Sequence, residues 1–210
     1  MNPVILTSAY LPPVHYFTKL YAAPRVYIER HDHYVKQTYR NRAVIAAPDG
    51  PLALTVPVGH DGGQRPITAD MRVSEHGNWR HVHWNALVSA YENSPYFEYY
   101  ADDFAPLYSC RFDRLADFND ALTAKVCELL DLHPDLRQTD RYADAAALGA
   151  DDFRERIRPK VPYAADPSFR PAAYFQVFAD RHGFLPNLSI ADLLFNMGPE
   201  SRLVLRRSIV

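Results

Sequence analysis

Apolar and polar positions fall into two regimes along this chain. Up to about residue 73 the apolar residues come in short, β-rich runs; from Trp79 onward they recur at helical spacing. Residues 4–7 predict a buried first strand. Pro12 and Pro13 then turn the chain, residues 14–22 predict a helix opened by Pro13, and Pro24 ends it. Residues 25–29, with Val26 and Ile28 on one face, predict a second strand, which makes a βαβ start and allows a parallel pair. The β-rich runs 43–47 and 52–58 flank Pro48-Asp49-Gly50-Pro51, the turn chemistry of a hairpin. A polar loop at 59–66 leads to a further expected strand at 67–73.

Residues 79–91, 96–108 and 115–130 predict three helices, split by Ser94-Pro95 and by 111–114. Residues 132–142 are polar and include a proline. Residues 151–158 predict a short charged helix ended by Pro159. The stretch 159–171, with Pro159, Pro162, Pro167 and Pro171, reads as an exposed connection or an ordered arm. Ser189 and Asp192 have the spacing of a capping box for a helix to about Asn196, with Gly198 closing it. Strands early and helices late put the chain in the α/β or α+β class: an N-terminal βαβ start with a mixed sheet and a β-hairpin, then a mainly helical C-terminal half. No repeat or composition break divides the 210 residues, and one domain over 1–210 is expected.

Composition narrows the partners. A net charge of -2 gives no argument for nucleic acid or for an anionic membrane surface. No apolar run reaches membrane-spanning length and no secretory leader is visible, so a cytoplasmic protein without membrane insertion is expected. The two cysteines, Cys110 and Cys127, cannot build a disulfide framework or a metal site; both fall in segments that read as helical, and buried thiols are expected. Fourteen Tyr and eleven Phe suit a cleft that is apolar in body and polar at its rim.

Candidate chemistry concentrates in four places. Tyr10-Leu11-Pro12-Pro13-Val14-His15-Tyr16-Phe17 stands where the first strand meets its helix, the edge at which open α/β sheets bind ligands. His15 would sit in the first helical turn; packing of Tyr10 and Phe17 on the core explains the block equally well. Lys36, Arg40 and Arg42 put three cations within seven residues, able to clamp a phosphate or carboxylate or simply to line a solvated loop. His31 and His33 lack further metal ligands and read as rim histidines. Trp79, His83, Leu87 and Tyr91 share one helix face, with His83 either a satisfied core histidine or a base looking into a cleft. Gln176, Asn187 and Asn196 are amides among apolar neighbours, and if buried must either lock loops or read a ligand.

In order, these blocks resemble the WbqC-like family of bacterial proteins. The resemblance is carried by Tyr10-Leu11-Pro12 with Tyr16-Phe17, Lys36 with Asn41-Arg42-Ala43-Val44-Ile45, and Leu54-Thr55-Val56-Pro57-Val58. It continues through Trp79 with His83, Tyr91 with Pro95 and Phe97, and residues 187–198. Many members have Gln-Pro before Tyr-Leu-Pro and Gly before Tyr-Phe, where this chain has Ser8-Ala9 and His15. The resemblance implies a role in O-antigen or other surface-polysaccharide synthesis, with aminoacyl (glycine) transfer to a sugar or sugar nucleotide. On that expectation His83 or His15 is the base, Lys36, Arg40 and Arg42 hold an anionic small-molecule substrate, and Gln176, Asn187 and Asn196 position it. No cofactor is singled out. A nucleotide-binding or nucleotidyltransferase-like domain and a non-catalytic scaffold of a polysaccharide-synthesis complex are the alternatives.

Overall fold

A computed structural model describes residues 1–60 and 65–210; of the polar loop expected at 59–66, residues 61–64 lie outside the described residues. The βαβ start is present. β1 (Val4–Thr7) and β2 (Val26–Glu29) run parallel in the register Val4↔Val26 to Thr7↔Glu29, joined by α1 (Val14–Ala22). All four residues of β1 are buried, as a parallel strand covered on both faces requires. Pro13, extended at φ -68 and ψ 163, precedes the first helical residue, and Ala23, held extended before Pro24, stops the helix.

β3 (Arg42–Ala47) and β4 (Gly50–Thr55) form the hairpin, pairing Arg42↔Thr55 through Ala47↔Gly50. The run expected to continue to residue 58 breaks after Thr55, and β5 (Val58–Gly59) pairs instead with β6 (Arg72–Val73). The strand expected over 67–73 is therefore reduced to its last two residues. Thr68–Asp70 is a 3-10 turn because its backbone bonds elsewhere: Thr68 N–H donates to Asp32 O and Ala69 N–H to Arg30 O. The helices α2 (Trp79–Tyr91), α3 (Phe97–Ser109) and α4 (Leu115–Leu129) follow.

Two short strands complete the main sheet. β7 (Leu136–Gln138), within the stretch read as merely polar, pairs parallel with β2, and β8 (Asp151–Asp152) pairs parallel with β1. The order β7-β2-β1-β8 puts β1 inside and the switch of winding direction between β1 and β8. The charged helix expected at 151–158 is not formed. Asp151 N–H donates to Pro3 O and Phe153 N–H to Ile5 O, while Asp152 holds Arg154 through its backbone and guanidinium. An eight-residue helix is too short to compete with that edge pairing.

Next come α5 (Ala179–His182), α6 (Ile190–Met197) and α7 (Ser201–Arg207). The core centres on α6, whose residues 190–196 are all buried. Phe195 meets Phe97, Phe104 and Tyr91 at 5.0, 5.2 and 5.3 Å between ring centroids. Burying a side chain of this size contributes about 1.5–3 kcal/mol. α6 is also tied by backbone bonds, Ser189 N–H to Val44 O, Ile190 N–H to Pro12 O and Tyr96 N–H to Phe195 O. Of the cysteines, Cys127 is buried on α4, but Cys110 is exposed, because α3 ends at Ser109 and leaves it on the extended residue beyond.

Candidate functional site

The base of the hairpin, β5 and the segment around Tyr34–Gln37 enclose a cleft of about 780 Å³, within the range of small-molecule sites. Its cationic side holds Lys36 and Arg42; Tyr34, Pro57, Val58, Pro66 and Met71 supply the apolar side, and His60 stands at the rim. Arg42 opens β3 opposite Thr55, so the hairpin register fixes its place. Among the described residues its side chain has no hydrogen bond or ion pair, and its buried Nε has no partner. Lys36 is exposed at the cleft edge. Gln37 beside it is held at φ 59, a left-handed conformation that costs a non-glycine residue about 1 kcal/mol. Burial pushes the Tyr34 phenol up to about 12, with Arg40 pulling the other way, so it is a hydroxyl at neutral pH.

Asn41 was not among the expected site residues, although it stands between Arg40 and Arg42. Its Nδ2 donates to Val56 O at 2.8 Å, and Val56 N–H donates back to Asn41 O at 2.8 Å. That pairing fixes the amide, so Oδ1 is an acceptor, buried in the cleft wall and without a partner among the described residues.

Arg40 does something else. It is 2% exposed and bonds Asp32, Thr38 and Thr68. The cation that looked available from spacing alone locks the 32–38 loop to the 3-10 turn. His31 and His33 join no metal site: among the described residues no group of three or more His, Cys, Asp or Glu could hold an ion.

His83 lies behind the cleft. It is buried, its Nδ1 is 2.9 Å from Tyr10 Oη, and that hydroxyl is 2.8 Å from Tyr108 Oη. Burial lowers its pKa to about 4, against the opposing pull of a hydrogen bond to the Thr55 backbone, so the ring is neutral at pH 7.

His15 belongs to a different cluster. Its Nε2–H donates to Asp166 Oδ2 at 2.7 Å, its ring stacks on Phe169 at 4.3 Å, and burial lowers its pKa to about 4. Lys19, fully buried one turn along α1, contacts the same carboxylate oxygen at 2.5 Å and donates to Ser168 Oγ at 2.8 Å. Burial pushes the Asp166 carboxyl up, but bonds from Lys19, His15 and Ser168 outweigh it and hold the carboxyl well below its ordinary range. The backbone N–H groups at this helix start are occupied and do not face a ligand: Val14 N–H donates to Leu188 O and His15 N–H to Asn187 Oδ1, each at 2.9 Å. Asn187, at φ 57, thus caps α1. The proline-rich stretch 159–171 is an ordered arm pinned by Asp166.

Gln176 and Asn196 meet around Asp192. Gln176 donates to Leu185 O and Asp192 Oδ2 and accepts from Leu185 N–H; Asn196 accepts from Val177 N–H and donates to Asp192 O. Ser189 caps α6 by accepting from Ala191 N–H. Asp192 does not complete the expected capping box. Its carboxylate accepts from Tyr91 Oη at 2.8 Å and Tyr174 Oη at 2.6 Å as well as from Gln176. Burial raises its pKa, and these three donors oppose that.

The expected site residues therefore occupy separate places. Lys36 and Arg42 share the cleft, His83 backs its wall, His15 and Asn187 sit at the start of α1, and Gln176 and Asn196 surround Asp192. Among known proteins, the chain is 27% identical to an uncharacterised Mycobacterium tuberculosis protein, Rv1507c, over 223 aligned positions covering 94% of each chain. No solved structure matches it. The WbqC-like family model matches residues 7–157, from the end of β1 through the cleft, α2 to α4 and β8, and on this match the chain belongs to the WbqC-like protein family.

Proposed function

We propose that this protein binds an anionic sugar substrate of the sugar-nucleotide class in the hairpin cleft. In our reading it serves group transfer, of an aminoacyl group such as glycine, in the synthesis of O-antigen or another surface polysaccharide. The carrying observation is Arg42, an arginine in a sizeable cleft whose side chain has no anionic partner among the described residues. A guanidinium in that state suits a phosphate or carboxylate, Lys36 adds a second positive charge at the edge, and the apolar wall suits a ring. Family membership supplies the sugar context. Because His15 and His83 stand outside the cleft, the reading rests on binding by Arg42 and Lys36 and not on either imidazole as base.

UDP-glucose and inorganic pyrophosphate should each raise the melting temperature, and glucose should not. At a hundred times Kd the stabilisation is about 2.7 kcal/mol, or roughly 5–10 °C for a chain of this size. Arg42→Ala should abolish the shift. If neither anion moves the wild-type melting temperature, the reading falls.

A further inference from the structure

A second hollow, of about 420 Å³, opens on the same hairpin as the cleft. The hairpin register shows how the two meet. Opposite residues of an antiparallel pair, and every second residue along a strand, share one face. One face of this hairpin therefore carries, in order, the rungs Arg42–Thr55, Val44–Ala53 and Ala46–Pro51. The other face, with Ala43, Ile45 and Leu54, is buried in the core. The cleft ends on the first of those rungs, through Arg42 and Thr55. The second hollow takes up the following ones, with Val44 and Pro51 in its lining. Val44 and Ala53 are both half-buried. The step from Arg42 to Val44 is two strand residues, roughly 6.5 Å. The hollows thus follow each other along one surface. Burial also pushes the Tyr39 phenol up while Arg42 pulls it down, so the cation of the first hollow acts on a ring of the second.

The second hollow differs from the cleft in chemistry. Val44, Pro186 and the prolines of the 159–162 arm make it apolar in body, and Tyr39, Tyr163 and Lys160 bring polar tips. The arm is the one that Asp166 pins to His15 and Lys19, so this wall is firmly held. Asn187, also in the lining, already uses its Oδ1 on the His15 N–H. A hexose would bury many hydroxyls here against few groups able to meet them. A nucleobase has two apolar faces and a short polar edge, and its faces stack on aromatic rings. In a nucleotide one pentose separates phosphate from base, a span comparable to the step from Arg42 to Val44. We infer that the second hollow is a nucleoside slot: a nucleotide sets its phosphates on Arg42 and Lys36 and lays its base over Val44 beside Tyr39 and Tyr163. This rests on the ligand reading above and adds which end of a sugar nucleotide lies where, the sugar staying in the cleft.

The test uses the full chain, with inorganic pyrophosphate, glucose 1-phosphate and the diphosphates UDP, CDP, ADP and GDP as probes in calorimetry. The tightest nucleotide should bind about tenfold tighter than pyrophosphate or more. Tyr163→Ala should remove most of that advantage while pyrophosphate binds within about twofold of wild type. Methyl NMR of the wild-type protein decides if the variant fails to fold: Val44 and Val161 should shift with the nucleotide and stay in place with pyrophosphate. Nucleotides no tighter than pyrophosphate, equal losses of both ligands in a folded Tyr163→Ala, or unmoved Val44 and Val161 methyls would each overturn the slot. Movement of those methyls with glucose 1-phosphate would put the sugar end there and overturn it too. If no probe binds the wild type, the anion reading of the cleft falls and the slot with it. Pyrophosphate binding without a nucleotide advantage sinks the slot alone.

Discussion

Arg40 and Arg42, two positions apart, are used in opposite ways: Arg40 is sealed in the interior on Asp32, and Arg42 faces the cleft with no anionic partner among the described residues. Removing Arg40 strands the Asp32 carboxylate in the interior. Arg40→Ala should cost about 3–5 kcal/mol, the usual penalty for breaking a buried ion pair from one side. Arg42→Ala leaves no partner behind among the described residues and should change stability by less than about 1 kcal/mol. Urea unfolding of the two variants decides the contrast, and equal losses would contradict it.

Acid should weaken the fold before it reaches the carboxylates. His15 and His83 take a proton at about 4 when folded, against 6.5 ordinarily. Between those values the unfolded chain binds protons that the folded chain refuses. Their stabilisation is complete above pH 6.5 and is lost as pH falls toward 4, up to about 3 kcal/mol for each ring. Asp166 acts lower down, because its depressed folded pKa keeps its contribution intact above the ordinary carboxylate range and loses it as pH falls through the folded value. Urea midpoints measured from pH 8 to pH 4 should decline from about 6.5, and a flat profile down to pH 4.5 would refute the assignment.

The Asp192 cluster gives a graded series. Tyr91 Oη accepts from Ala46 N–H at 3.2 Å and donates to Asp192, whereas Tyr174 Oη donates to Asp192 at 2.6 Å and holds no backbone amide among the described residues. Tyr91→Phe orphans a backbone donor as well as removing a charged hydrogen bond. It should cost about 2–4 kcal/mol, and Tyr174→Phe about 1.5–3 kcal/mol. Chemical denaturation of both variants checks the order.

Gly198 closes α6 at φ 51, and a Cβ there would stand 2.5 Å from the Tyr96 ring. Gly198→Ala therefore meets backbone strain and a steric clash together and should lose more than about 2 kcal/mol. Shrinking Tyr96 to Ala in the same chain should recover part of that loss, leaving the backbone strain. A double-mutant cycle separates the two contributions.

A thiol reagent should modify Cys110 at once in the native protein and Cys127 only on unfolding. Cys110 is exposed, and burial pushes the Cys127 thiol up to about 12. Two equivalents of rapid reaction would contradict the burial of Cys127.

Elements governed by local chemistry were legible in the sequence. Pro13 and Pro24 bracket α1, Pro48-Asp49 turns the hairpin, and the Trp79 to Tyr91 stripe marks α2. β7 and β8 were not, because segments of only three and two residues become strand only through parallel partners more than a hundred positions away. The cleft was half legible. Three cations in seven residues marked the segment, but spacing cannot tell Arg40 from Arg42; the difference is Asp32 and Thr68, brought in by the chain's return. Gln176 and Asn196 were correctly picked out as amides needing partners, and the partner they share, Asp192, was hidden behind a local capping pattern.

The sheet order also governs how the chain is made. β1 starts at Val4, yet its outer neighbour β8 begins at Asp151 and the helix that seals its loop, α6, ends at Met197. At roughly 5–20 residues per second, a ribosome takes roughly 10–40 s to travel from one to the other. Throughout that interval Tyr10, Phe17 and Ile45 lack the surface that covers them in the finished molecule. The nascent N-terminal half is a sticky intermediate by construction, and chaperone holding during translation is the expected companion of this topology.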